Sequence, residues 1–222
     1  MNEVKIGNQI WMAENLNVEE FRNGDPIPHA QTLEEWKRLN KEGKPAWTYY
    51  DNDPKYGAIY GKLYNWNAVE DPRGLAPKGW HIPDHKEWEK LSEYLGDDDL
   101  VGTKLKSASG WEDNGNGTDE VGFSGLPGGY YYFNGKMDTI GSSAIWWSST
   151  KKFSATMWVY SLYKDNGQLS VFDDDYRNGF AVRCLKGESK QDRVEWASNV
   201  RTSKDTSLLG LLFPMLFGSG NS

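Results

Sequence analysis

The chain changes its hydrophobic rhythm several times. In residues 4–16 the apolar residues Ile6, Ile10 and Met12 alternate with polar ones on either side of Gly7-Asn8, which predicts two short strands about a turn. A loop follows through Asn23-Gly24-Asp25-Pro26. Helical spacing appears next: Leu33, Trp36, Leu39 and Asn40 share a face over 33–40. Thr32 stands at the N-cap, Glu34 and Glu35 fill the first turn, and Gly43 and Pro45 end the helix. Residues 46–69 are rich in aromatics and punctuated by glycine, predicting a strand, a turn at 51–57, and a strand or short helix. Residues 73–83 read as irregular. The strongest helical signal spans 84–95, with Asp84 as N-cap, Glu87 at capping-box spacing, and Trp88, Leu91 and Leu95 on one face before Gly96. Residues 97–125 read as loop, with a short turn at 103–107.

From 126 the rhythm is that of strands. Residues 129–137 predict a hairpin about Asn134-Gly135. Strands at 145–150, 156–163, 168–173 and 179–186 continue the sheet, with Asp165-Asn166-Gly167 as a second hairpin turn. The end of the chain differs. Residues 187–205 form a polar linker, and residues 206–222 an apolar tail. Its core, Leu208–Phe217, is interrupted by Gly210 and Pro214 and is half the roughly 20 residues a transmembrane helix needs.

Composition narrows the function classes. The 222 residues hold 25 Lys and Arg against 32 Asp and Glu, a formal charge of -7, which argues against a nucleic-acid-binding surface. With one Cys there is no intrachain disulfide framework and no thiolate metal cluster. The first residues carry no apolar run, so no signal peptide is expected in this chain. Eleven Trp, 12 Tyr and 24 Gly in a polar chain imply a loop-rich fold with a core of rings.

Six stretches together carry a family resemblance: VKIGNQIWMAENL, YGKLYNWNAV, LAPKGWHIPDHKEWEKL, GFSGLPGGYYYFNG, WWSST and NGFAVRC, in order over residues 4–186. The chain resembles the Fibrobacter succinogenes major paralogous domain, which is abundant in secreted and surface proteins of Bacteroidetes and Fibrobacteres. That family resembles the C-type-lectin-like group, together with formylglycine-generating enzymes and phage variable tail proteins. The resemblance implies an α+β, C-type-lectin-like fold with two short helices and a twisted, mainly antiparallel sheet with long loops. It assigns residues 1–186 to one domain. Three departures stand out. Cysteines that the family commonly has fall here near Trp47-Thr48-Tyr49 and at Ala76, leaving Cys184. The match starts close to Met1, without the leader or preceding domains typical of relatives. The tail is extra.

Individual chemistry-bearing residues have plain readings. Cys184 reads as a buried thiol, and one Cys cannot supply the cysteine pair of a formylglycine-generating enzyme. His81 is expected to brace the loop entering the helix at 84, His85 to be exposed, and His29 has no evident partner. The acidic groups Asp51-Asn52-Asp53, Asp97-Asp98-Asp99, Asp113–Glu120 and Asp173-Asp174-Asp175 read as solvated turns, with structural calcium left open and no metal ligand assigned. The sugar-binding tripeptides of calcium-dependent lectins do not occur. Trp11, Trp66, Trp80 and Trp88 read as core. Adjacent Trp146 and Trp147 must face opposite sides of their strand, and Tyr130, Tyr131 and Tyr132 pose the same question.

The resemblance places a binding face on the loops and the open side of the C-terminal strands. Its candidates are Tyr131, Trp158, Tyr160, Tyr163, Phe172, Asp174, Tyr176 and Arg177. The tail residues Leu208, Leu209, Leu211, Leu212, Phe213, Met215, Leu216 and Phe217 read as a docking segment, so a protein partner or self-assembly through 206–218 is expected. A membrane anchor is disfavoured because only Arg201 and Lys204 lie near the run, with Asp205 between. The expectation is a non-enzymatic recognition or structural module without cofactor, on a bacterial surface or a phage particle, joined to an assembly by its tail. Its ligand would be a glycan or a surface protein, and the alternative is a carbohydrate-binding protein.

Overall fold

The computed structural model describes residues 2–96 and 98–187. The polar linker beyond Gly187 and the apolar tail lie outside these residues, as does Asp97. The class is α+β. Strands β1 (Glu3–Ile6) and β2 (Gln9–Met12) form the expected hairpin about Gly7-Asn8. Helix α1 (Leu33–Lys41) starts at Thr32 in a full capping box with Glu35 and buries Trp36, Leu39 and Asn40. β3 (Trp47–Thr48) pairs antiparallel with β4 (Leu63–Tyr64), with helix α2 (Pro54–Tyr60) between them. A short helix α3 (Trp66–Val69) follows, capped by Asn65. β5 (Trp80–His81) leads into helix α4 (His85–Leu95), capped by Asp84 and Glu87 and stopped at Gly96, whose φ of 87° suits glycine. Helix α5 (Asp98–Leu105) comes next.

The larger sheet uses β6 (Gly128–Tyr131), β7 (Met137–Ile140), β8 (Ser143–Lys151), β9 (Thr156–Tyr163) and β10 (Ser170–Asp175). Its order is β10-β9-β8-β6-β7, and only the β6–β8 pair is parallel. β11 (Leu185–Lys186) closes a second sheet, β1-β2-β11-β5.

Three expectations need correction. Among the described residues there are five α-helices rather than two. α2 replaces the expected turn, because Asp53 accepts from the Lys55 N–H and Pro54 occupies the first helical position, where its missing N–H costs nothing. α5 replaces part of the expected loop. The strand expected over 179–186 is real only at its end. Upstream, its backbone bonds successively to Tyr131, Tyr64, Ile145 and Trp147, so its alternation serves to stitch the sheets together.

The five-stranded sheet is covered on both faces, which settles the Trp146–Trp147 question: both side chains are fully buried. Trp146, Tyr160, Ala144 and Leu162 pack with Trp11, Trp88, Leu91 and Leu95. Trp147, Ile145, Met157 and Val159 pack on the other face with Trp66, Phe180 and Cys184. Each large apolar side chain among them contributes roughly 1.5–3 kcal/mol on burial. Ala76 and Trp47, at or beside positions where the resemblance anticipates cysteine, lie in the same cluster as Cys184.

Candidate binding face

β10 is the outer strand of its sheet, and its six residues pair with β9 in unbroken register. Directly opposed residues share a face, so the register sorts the candidates. Tyr160 and Trp158 lie on the α4 side with Val171 and Asp173. Tyr163, Phe172 and Asp174 lie on the other side. The eight residues therefore do not form one face.

Two of them are core. Tyr160 is 1% exposed, stacked on Trp88 at 4.7 Å, and its hydroxyl donates to the His85 carbonyl at 3.0 Å. Tyr131 is 5% exposed and packs on Trp36 at 4.8 Å, because the alternation of β6 turns it toward α1. Tyr163 is half-buried, and its carbonyl accepts from the buried Lys106 at 3.1 Å.

Phe172, Asp174, Tyr176 and Arg177 do gather, on β10 and the turn after it. This turn is braced from three sides. The Arg177 carbonyl accepts from Trp36 Nε1 at 2.8 Å, Trp66 N–H donates to the Tyr176 carbonyl at 3.2 Å, and Asn178 Nδ2 donates to Asp174 Oδ1 at 2.9 Å. Arg177 forms a fork with Asp175, through Nε at 2.9 Å and Nη2 at 2.6 Å. Its guanidinium lies 4.3 Å from the ring centre of Phe133, which is 36% exposed. Phe133 is missing from the sequence-derived face. Its one signal is a ring placed next to the Asn134-Gly135 turn, where nothing local buries it.

On the opposite face Trp158 stands half-buried. The His85 ring stacks on it at 4.4 Å, and Lys152 Nζ lies 4.2 Å from its centre while pairing with Asp173 at 2.6 Å. Phe153, 64% exposed, lies 5.5 Å from the same Lys152 Nζ, and the exposed Val171 pairs with Tyr160 on this face. His85 is thus half-buried rather than exposed, with Nδ1 2.7 Å from the Tyr160 hydroxyl. His29 has partners too: it stacks on Trp47 at 3.8 Å and meets Asn52 Oδ1 at 2.9 Å. His81 braces its loop as expected, with Nδ1 3.0 Å from the Gly187 carbonyl and Nε2 3.0 Å from Glu87.

The three successive acids of β10 have different electrostatics. The Lys152 hydrogen bond holds Asp173 low. Burial pushes Asp175 up, but Arg177 outweighs it and the net shift is down. Burial pushes Asp174 up, and the net shift stays up. A carboxyl raised in the fold adds stability at pH values below its ordinary 3.8, and this stability is lost as pH rises through the folded value. Asp174→Asn keeps an oxygen for the Asp175 N–H and Asn178 and removes that loss. The variant is expected to melt higher than wild type at pH 7 and to lose this advantage toward pH 3. Thermal melts across that range check it, and a lower melting temperature at pH 7 would refute it.

Other acids are engaged locally. Asp113 pairs with Lys164, Asp119 receives the Ser124 N–H and hydroxyl, and Asp53 caps α2. Among the described residues no group of three or more His, Cys, Asp or Glu side chains is arranged to hold a metal ion. Cys184 is fully buried, and burial pushes its thiol up to about 12.

A model of the Fibrobacter succinogenes major domain matches residues 4–186. The chain belongs to this family. No curated protein matches it. In this member of the Fibrobacter succinogenes major domain family the matched residues include both the braced Phe133–Arg177 cluster and the Trp158 stack, and the match ends on β11. Among the described residues of this member no helix is long and apolar enough to cross a membrane.

Proposed function

We propose that this chain is a recognition or structural module of C-type-lectin-like type, displayed on a bacterial surface or a phage particle and joined to a larger assembly through its apolar tail. One observation carries the recognition half: Phe172, Tyr176, Arg177 and Phe133 are solvent-accessible to different degrees on a backbone held from three sides. Rigid aromatics and a stacked arginine are the side chains that dominate binding energy at protein interfaces. Asp174 adds an acceptor beside them. The α+β fold with its mainly antiparallel larger sheet supports the lectin-like reading.

The assembly half rests on the eight large apolar side chains of residues 208–217, which gain free energy only when covered. Truncation after Lys186 is expected to leave a cooperatively melting domain that no longer assembles. Light scattering of full-length and truncated protein tests this, and an equal number of chains per particle would refute it. Saturable binding of a defined glycan by the full chain would instead move the reading to a carbohydrate-binding protein.

A further inference from the structure

Lys62 is 2% exposed and stands immediately before β4. Its Nζ meets a carboxylate and a carboxamide together, and also donates to the Asn17 backbone carbonyl at 3.4 Å. It donates to the Asn17 side-chain oxygen at 2.6 Å and lies 3.3 Å from Glu19 Oε1. The rings of Trp47 and Tyr49 close over it at 4.5 and 5.0 Å. Two further contacts hold the amine and the amide together. The Lys62 N–H donates to the Leu16 carbonyl at 3.2 Å, locking the adjacent backbones, and Asn17 Nδ2 donates to the Gly57 carbonyl at 3.2 Å, fixing the amide plane.

These are the parts of an amide-forming site: an amine enclosed by rings, a carboxamide in hydrogen-bond reach, and a carboxylate touching the amine. Enclosure among apolar groups is where lysine amines act as nucleophiles, and fixed geometry replaces a collision between two free reactants. We infer that Lys62 and Asn17 form an intramolecular isopeptide bond, with Glu19 as the proton carrier. The ammonium first gives one proton to solvent. The Nζ lone pair then attacks Asn17 Cγ, and an Nζ–Cγ bond forms. Glu19 takes a proton from Nζ and delivers it to Nδ2. The Cγ–Nδ2 bond breaks and the nitrogen leaves as ammonia. No oxidant or cofactor is needed. The Glu19 side chain is 62% exposed, so the site opens to water on the side from which ammonia departs. The bond would tie the segment after β2 to β4 across 45 positions of sequence.

Intact-mass spectrometry of the folded full chain, denatured before injection, tests the inference. The expected mass is one ammonia, about 17 Da, below the sequence mass. After trypsin, residues 6–22 and 56–73 should appear as one cross-linked species. Lys62→Arg and Asn17→Ala should each restore the sequence mass, and Glu19→Gln should leave most of the protein unlinked. Succinimide formation at Asn-Gly pairs such as Asn134-Gly135 also removes ammonia, but it would persist in Lys62→Arg. Wild-type protein at its full sequence mass, or a loss that survives Lys62→Arg, overturns the proposal.

Discussion

Arg183→Ala is expected to remove about 3–5 kcal/mol of stability, the sum of a cavity and of buried acceptors left without donors. Arg183 is 1% exposed, and among the described residues no carboxylate lies within ion-pair distance of it. Its donors instead go to Asn15 Oδ1 at 3.0 and 2.7 Å, to the Met12 carbonyl at 3.2 Å and to the Phe123 carbonyl. The Phe123 ring lies 4.4 Å away. Burial pushes the guanidinium down to about 9, which still leaves it a cation at pH 7. A buried charge is costly unless its donors are used, and here the fork meets three acceptors on two segments, Met12 and Asn15 at and just after the end of β2 and Phe123 far along the chain. Arg183→Met keeps much of the volume but orphans the same two carbonyls, so it should fall between wild type and Arg183→Ala. Urea unfolding with an unchanged slope would measure the difference. A loss below about 1 kcal/mol for the alanine variant would show that water replaces the guanidinium at no cost.

Arg183 also shows why part of the molecule could not be read from the chain. The alternating pattern of 179–186 looks like one more strand, and nothing local reveals that its partners are five different strands, β2, β4, β5, β6 and β8. The signals that held are those carried within a few residues. The capping boxes at Thr32 and Asp84, the Asn134-Gly135 turn and the span of β9 follow from short-range chemistry. The binding face was harder. Two candidates, Tyr131 and Tyr160, are rings on strands whose both faces are covered, and coverage is a tertiary property. Phe172, Asp174, Tyr176 and Arg177 converge because β10 is an outer strand and the following turn is clamped by Trp36 and Trp66, residues more than a hundred positions upstream. The Lys62 site carries no sequence signal, since Asn17 and Glu19 meet Lys62 through tertiary bonds between segments about 45 positions apart, among them Lys62 N–H to the Leu16 carbonyl and the Tyr64 hydroxyl to the Val18 carbonyl.

Helix α5 carries a weak sequence signal for a reason that leads to the second large effect. Gly102 sits mid-helix, where glycine costs about 1 kcal/mol relative to alanine, and it made the segment read as loop. At an exposed site Gly→Ala would therefore stabilise. Here the sign is expected to reverse. A Cβ on Gly102 would lie 2.2 Å from the Gln168 carbonyl oxygen and 2.7 Å from that of Gly167, in the turn joining β9 and β10. That turn rests directly on the helix. The Thr103 N–H donates to the Gly167 carbonyl at 2.9 Å, and Gln168 Nε2 donates to Asp99 at 2.6 Å. A Cβ on Gly167 would in turn come within 2.3 Å of the Asp99 carbonyl. Because backbone opposes backbone, no side chain can swing aside, and the turn or the helix must shift. The overpacking cost of about 1–3 kcal/mol should outweigh the propensity gain, so Gly102→Ala should melt below wild type. Hydrogen exchange should quicken at residues 165–170 and in α5 while the β1–β2 hairpin keeps its protection. A variant that melts at or above the wild-type temperature would mean that the helix and the turn do not touch as described.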